Sequence, residues 1–238
     1  MIALFLKELR GFFSTLMGYV VVAVFLLLLG LFLWVFPGDR NILDAGQASL
    51  EVMFVWSPWI FMFLIPAITM RSFAEEHRSG TMELLLTRPL GEGQIVVAKF
   101  LGAFMVMVFA LLPTLLYIPI LGELGQPQWN FDAGAIRGSY CGLLLLGAAF
   151  TSIGVLVSTW TRNPLVAFLL TLLLLVFGFI GFTALGQFSW LGSWDLAFTQ
   201  IGMEAHYRAM SMGVLHARDL VYFFVVIGVS LWTARLAL

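Results

Sequence analysis

Between Glu75 and Gly93 the chain reads EEHRSGTMELLLTRPLGEG, where four acids, two arginines and a histidine surround a run of three leucines. A second group of chemically active side chains, Met203, His206, Met210, Met212 and His216, lies in one segment nearer the C-terminus. The first group has the ingredients for ion pairing and for capping a short helix. The second holds soft and borderline ligands, and Met203, His206 and Met210 share a helical face, as a cuprous ion would require. Methionine also fills apolar surface, and a single histidine is often satisfied by a hydrogen bond. Packing is therefore the preferred reading of that segment, and no metal or cofactor is assigned.

The patterns that carry hydrolytic chemistry are absent. There is no H-E-x-x-H, no Cys/His cluster with zinc spacing and no serine in a G-x-S-x-G turn. The phosphate-cradling G-x-x-x-x-G-K-[ST] loop is missing too, so any ATP used must be bound by another subunit. The chain reads as a non-enzyme with no catalytic residues.

Composition says what must position these groups. Hydrophobic residues make up 61% of the 238 and charged residues 11%, against about half and a quarter in soluble domains. This is the composition of an integral membrane protein. The net charge of −1 offers no field for nucleic acid, and the single cysteine, Cys141, has no partner within the chain.

A hydrocarbon layer about 30 Å thick needs roughly 20 apolar residues as helix. Six segments qualify: Tyr19 to Phe36, Val52 to Met70, Phe100 to Leu121, Ser139 to Thr159, Leu165 to Leu185 and Leu220 to Ala237. The expected fold class is all-α, a single polytopic membrane domain over 1–238. The first segment lacks a small-residue cleavage site and is expected to remain as a span. Ile2, Leu6, Leu9, Phe13 and Leu16 precede it at helical spacing, with Lys7, Arg10 and Ser14 largely opposite, which predicts an amphipathic helix in the membrane interface.

Lysine and arginine counts set the orientation. With the N-terminus inside, Lys7, Arg10, Arg71, Arg78, Arg88, Lys99, Arg162 and Arg235 are cytoplasmic, against Arg40, Arg137, Arg208 and Arg218 outside. Both termini and the charged loop 71–99 are then expected in the cytoplasm, and the segment 186–219 outside. Ser79-Gly80-Thr81 breaks the chain, Glu83 favours a helix N-terminus, and Met82, Leu84, Leu85 and Leu86 give an apolar surface that Pro89 and Gly91 end. A short helix exposing leucines on the cytoplasmic face predicts a protein partner, the alternative being a loop helix folded back onto its own bundle or the lipid surface.

Proton-coupled transport is disfavoured, because the six apolar windows contain no Asp, Glu or His. Lys99, Glu123 and Arg137 sit at window edges, where side chains are expected to snorkel to water. Sodium-coupled transport stays open, since hydroxyls and carbonyls can bind that ion. Gly138, just before the fourth window, and Gly142, Gly147 and Gly154 within it form a small-residue face, read first as packing within the bundle and second as a path or dimer surface. Pro58, Pro66, Pro113 and Pro119 predict kinks in the second and third.

The run Glu76-x-x-x-Gly80-Thr81-x-Glu83-Leu84-Leu85-x-x-x-Pro89 resembles the first cytoplasmic loop of type-2 ATP-binding-cassette (ABC-2) permeases. The resemblance implies six spans and a coupling helix that contacts ABC ATPase subunits through Glu76, Arg78, Gly80, Thr81, Glu83, Leu84, Leu85 and Pro89. It further implies export across a bacterial inner membrane by a dimer with a second or paralogous permease copy. The stretch from His206, Tyr207 and Arg208 through Gly213 to Arg218 and Asp219 is similar to the segment leading into the sixth span, closest to the gliding-motility-type (GldF-like) subgroup, and reads as an external re-entrant gate. An acidic residue near His216 and a basic one near Met212 would complete that subgroup pattern, and both are missing here. An ATPase-driven scaffold acting on an extracytoplasmic partner would carry the same loop.

Overall fold

The computed structural model describes residues 1–38, 41–44, 46, 49–83, 91–186 and 195–238, and helix is the only regular structure among them. A backbone in hydrocarbon must satisfy its own N–H and C=O groups, and a helix does so within one segment. Helix α1 covers Ile2–Phe13, and α2 covers Leu16–Gly30 before a π-helical turn over Leu31–Val35. Next come α3, Glu51–Thr69; α4, Ala74–Ser79; and α5, Glu92–Leu111. Pro113 lies in a 3-10 stretch over Leu112–Leu116 that interrupts the third span before α6, Tyr117–Leu124.

Helix α7, Ala133–Trp160, opens on an Asp132 cap whose carboxylate accepts from the amides of Gly134 and Ala135 at 2.8 and 3.0 Å. Helix α8, Pro164–Val176, has Asn163 as its cap, accepting from the Leu165 amide at 3.0 Å. A π segment over Phe177–Gly181 leads into α9, Phe182–Gly186. Two short helices, α10 over Asp195–Ile201 and α11 over Met203–Ser211, precede α12, Ala217–Leu236.

Among the described residues six stretches are long and apolar enough to cross a membrane: Leu16–Val35, Glu51–Ser79, Glu92–Leu124, Ala133–Trp160, Pro164–Gly186 and Ala217–Leu236. They divide into two classes. In the second, third and fourth spans 67, 61 and 72% of the apolar window is buried in protein, against 22% in each of the others. The first, fifth and sixth spans therefore form an outer ring with faces left for lipid. The fourth span is the hub and touches spans two, three, five and six and also α11.

Its glycines explain the close packing. A Cβ at Gly142 would collide with Met210, one at Gly147 with Met107, and one at Gly154 with Thr69. The small-residue face is thus filled from within the bundle, as the first of its two readings expects.

Helix α1 lies against α5, with Glu8 crossing at Gly102 and Leu4 buried. Leu4, Glu8 and Phe12 recur every four residues on the inward face, while Ile2 and Leu6 point away from it and are exposed. Ile2 and Leu6 are left for a lipid surface, whereas Leu9 and Phe13 pack against the main core and Phe13 meets Phe109 at 5.7 Å, so only the first half of the apolar stripe faces outward. Leu4, Ala234 and Leu238 belong to one apolar cluster, so both ends of the chain meet at one end of the bundle.

Candidate functional site

At that end three elements converge on one lysine. Lys99, two turns into α5, has its side chain 1% exposed. Its Nζ lies 3.0 Å from Glu8 Oε1 on α1 and 3.0 Å from Glu76 Oε1 on α4, and donates to the Ser72 carbonyl between α3 and α4. The Phe73 ring lies under the ammonium at 5.0 Å. Lys7 stands 4.0 Å from the same Glu76 oxygen. Lys99 does not snorkel to water, contrary to the sequence expectation. Two carboxylates and a carbonyl supply inside the protein the acceptors that water would have supplied, which removes the reason to reach out.

The chain makes this joint by a tight sequence of local choices. Helix α4 has Glu75 and Glu76 in its first turn and His77 and Arg78 in its last, the arrangement its dipole favours. Gly80 ends it with φ at +71°, a left-handed conformation that glycine adopts without penalty, and the Thr81 amide returns to the Glu76 carbonyl at 3.0 Å. Met82 tucks into the apolar cluster with Phe73 and Ile95.

Glu76 is turned inward and paired within the chain. Arg78, Gly80, Thr81 and Glu83 are exposed, and Arg78 meets Glu75 at 3.4 Å. Leu84, Leu85 and Pro89 lie outside the described residues.

The opposite end holds the segment leading to the sixth span. His206 is buried, with Nδ1 2.7 Å from Asp219 Oδ1 and Nε2 2.8 Å from the Gln200 carbonyl. The Tyr222 ring stacks on the imidazole at 3.9 Å, and its hydroxyl donates to the Ile201 carbonyl at 2.6 Å. Arg218, exposed, approaches Asp219 at 3.6 Å, and Arg208 is exposed. Asp219 is only 1% exposed and lies in the first turn of α12, just outside the apolar window that defined the sixth span in sequence. Met203 and Met210 are packed in the main core, and both His206 nitrogens are already used. Among the described residues no three His, Cys, Asp or Glu side chains converge as metal ligands.

Tyr207 ties α11 to the second span, its hydroxyl donating to the Phe54 carbonyl at 2.7 Å. Burial pushes its phenol far above the ordinary tyrosine value of 10.0. Below that value the bond is fully formed. Above it the unfolded phenol ionises while the folded one keeps its proton, so stability falls as pH rises. Tyr207→Phe is expected to cost about 1 kcal/mol at neutral pH and to flatten the alkaline decline, read as unfolding midpoints in detergent from pH 7 upward. Parallel pH curves for the two proteins would show that the phenol is not buried away from water.

Sequence reasoning singled out His206, Tyr207, Arg208, Gly213, Arg218 and Asp219 as a group, and the structure brings His206, Asp219 and Arg218 together while leaving Arg208 exposed. It missed Glu8, Lys99 and Ser72. The available signal was an isolated lysine in an apolar helix, which implies a partner.

Residues 2–220 match the family described as ABC-2 family transporter protein. The chain belongs to that family. Over 103 residues it is 34% identical to a protein of Stutzerimonas stutzeri named as a probable ABC transporter permease protein, NosY, and the match covers 39% of this chain and 37% of NosY. The chain thus spans just over a third of the length of that relative. ABC-2 membership and six apolar helices together make this chain a multi-pass membrane member of that transporter family.

Proposed function

We propose that this ABC-2 protein is the membrane-spanning subunit of an ATP-driven exporter in a bacterial inner membrane, with ATP bound and hydrolysed by a separate pair of ATPase subunits. The single observation that carries the reading is the buried joint of Glu8, Lys99 and Glu76. It ties the root of the charged loop to the third span and to the N-terminal helix. A push on the loop cannot be absorbed by α4 alone, because α4 is fastened to the bundle through a charge that costs several kcal/mol to expose or strip.

In this reading both termini are cytoplasmic, as the basic residues favour, and the loop surface from Arg78 through Glu83 to Pro89 meets the ATPase. Glu83 pairs with a basic residue there, while Leu84 and Leu85 fill an apolar notch. The permease pairs with a second or paralogous copy around the path. The pair of short helices before the sixth span closes the outer end and is the face that an extracytoplasmic partner would meet. The likeness of residues 206–223 to the gliding-motility-type subgroup belongs to this proposal.

The test is co-purification. Glu83→Arg and Leu84→Asp are each expected to leave the permease folded in detergent and to abolish recovery of a stoichiometric ATPase. Full recovery of the ATPase with both variants would remove the assignment of this loop.

A further inference from the structure

Between the N-terminal helix and the loop end of the second span lies a cleft of about 510 Å³. Its charged lining is balanced: Lys7, Arg71 and Lys99 against Glu8, Glu75 and Glu76. Its floor, formed by Phe12, Met17, Ala67 and Ile68, is apolar. Lys99 is taken up by Glu8 and Glu76, and Arg78 answers Glu75. Arg71 is exposed and makes no ion pair among the described residues.

Ala67 is also the end of a second, wholly different recess. This groove of about 320 Å³ follows the seam between the first and second spans, from Val20 past Val24 and Leu28 to Phe32 on one wall and from Ala67 past Phe63 to Trp56 on the other. Its lining carries no charged residue, and Val24, Trp59 and Phe63 leave it open sideways, being 48, 45 and 60% exposed. Phe32 and Trp56, stacked at 4.5 Å, close its far end. Val20 to Phe32 rises roughly 18 Å along a helix axis, close to the half-thickness of about 15 Å that one leaflet offers.

A charge-balanced cleft at the membrane surface thus opens into an apolar groove one leaflet deep. We infer that this seam is a binding site for a zwitterionic glycerophospholipid, its phosphate at Arg71, its amine toward the carboxylates of the cleft and one acyl chain along the groove. Acids and bases in the lining are equal in number, so a head of net zero charge fits without adding an unmatched charge. The stacked pair at the far end limits how deep the chain can run. Occupancy fastens the N-terminal helix to the first two spans from the lipid side, opposite its contact with α5. The inference is independent of any ATPase, so it stands or falls apart from the transport reading.

The experiment uses the full-length chain in nanodiscs of equal parts phosphatidylethanolamine and phosphatidylglycerol. A trace phosphatidylethanolamine bearing a diazirine on its acyl chain is photolysed, and adducts are mapped by peptide mass spectrometry. Adducts are expected to concentrate on the peptides holding Val20–Phe32 and Trp56–Ala67 over the equally lipid-exposed fifth span. Arg71→Glu is expected to lower the seam signal about fivefold, from the loss of one basic contact and its reversal, and to leave the fifth-span signal unchanged. Ala67→Trp, which fills the junction, should lower it likewise, and the fifth-span adducts in the same sample report whether each variant is folded in the bilayer. Equal labelling of the seam and the fifth span overturns the inference. So does an Arg71→Glu protein that labels like the parent, or a phosphatidylglycerol probe that labels the seam more strongly.

Discussion

Lys99→Met is expected to destabilise the folded protein by about 3–5 kcal/mol, the usual cost of removing one partner from a buried ion cluster. The lysine side chain is 1% exposed, and its ammonium is met by Glu8, Glu76 and the Ser72 carbonyl. Methionine keeps an apolar stem about as long as the lysine stem up to Cε and lacks only the ammonium, so the loss is electrostatic and includes the cation over the Phe73 ring. What remains is two carboxylates whose nearer oxygens both sat 3.0 Å from one nitrogen, and which therefore lie within about 6 Å of each other. They are 25 and 15% exposed, too little for water to screen them fully.

The triple variant Lys99→Met, Glu8→Gln, Glu76→Gln removes both signs of charge together and is expected to recover most of the loss, because neutral amides need no counter-ion. Thermal unfolding of the three proteins in one detergent measures this. A single variant within about 1 kcal/mol of the parent would mean the cluster is no stronger than a surface pair. On the proposed function, the triple variant also separates stability from transmission. It should retain the ATPase, since Glu83 and the leucines are untouched, but respond weakly to it, since α4 is no longer held to the third span by charge.

The fold was largely legible, because hydropathy over some 20 residues has few other physical outcomes than a membrane-crossing helix. The break at Ser79-Gly80-Thr81 was legible for a similarly local reason: Gly80 takes the left-handed conformation that ends α4. Of the amphipathic stripe Ile2, Leu6, Leu9 and Phe13, the first two marked a face left for lipid, and the last two pack on the main core instead. The partners of Lys99 and Glu76 were not legible. Glu8 and Lys99 are 91 residues apart, and no local rule selects which acid folds back to a given lysine. Hydropathy windows also assign edge charges to water by default, and so Lys99 was expected outside. Asp219 fell just outside the sixth apolar window, so its burial opposite His206 was hidden although both residues had been singled out. What decides these cases is tertiary convergence of groups far apart in sequence.

Gly213→Ala is expected to cost more than about 3 kcal/mol, from two penalties at one position. Gly213 has φ at +86°, where an alanine pays for the left-handed conformation. Its missing Cβ is also the space through which α7 passes: an added carbon would collide with the Ala135 backbone, and a Cβ at Gly138 would collide with the Gly213 carbonyl. Backbone atoms of a capped helix cannot move aside as a flexible side chain can. The turn is held besides by the Gly213 amide on the Met210 carbonyl at 2.9 Å and by Ser139 donating to the Ser211 carbonyl at 2.9 Å.

Two other glycines separate the contributions. Gly80 shares the left-handed backbone but a Cβ there meets nothing within 4 Å among the described residues, so Gly80→Ala carries only the conformational term of about 1–2 kcal/mol. Gly228 lies within α12 with nothing near it, so Gly228→Ala is expected to be neutral or to stabilise by up to about 1 kcal/mol. Unfolding midpoints should therefore fall in the order Gly228→Ala, Gly80→Ala, Gly213→Ala. A Gly213→Ala protein as stable as Gly80→Ala would mean that the turn does not press on α7, and that the His206–Asp219 end is held by its hydrogen bonds alone.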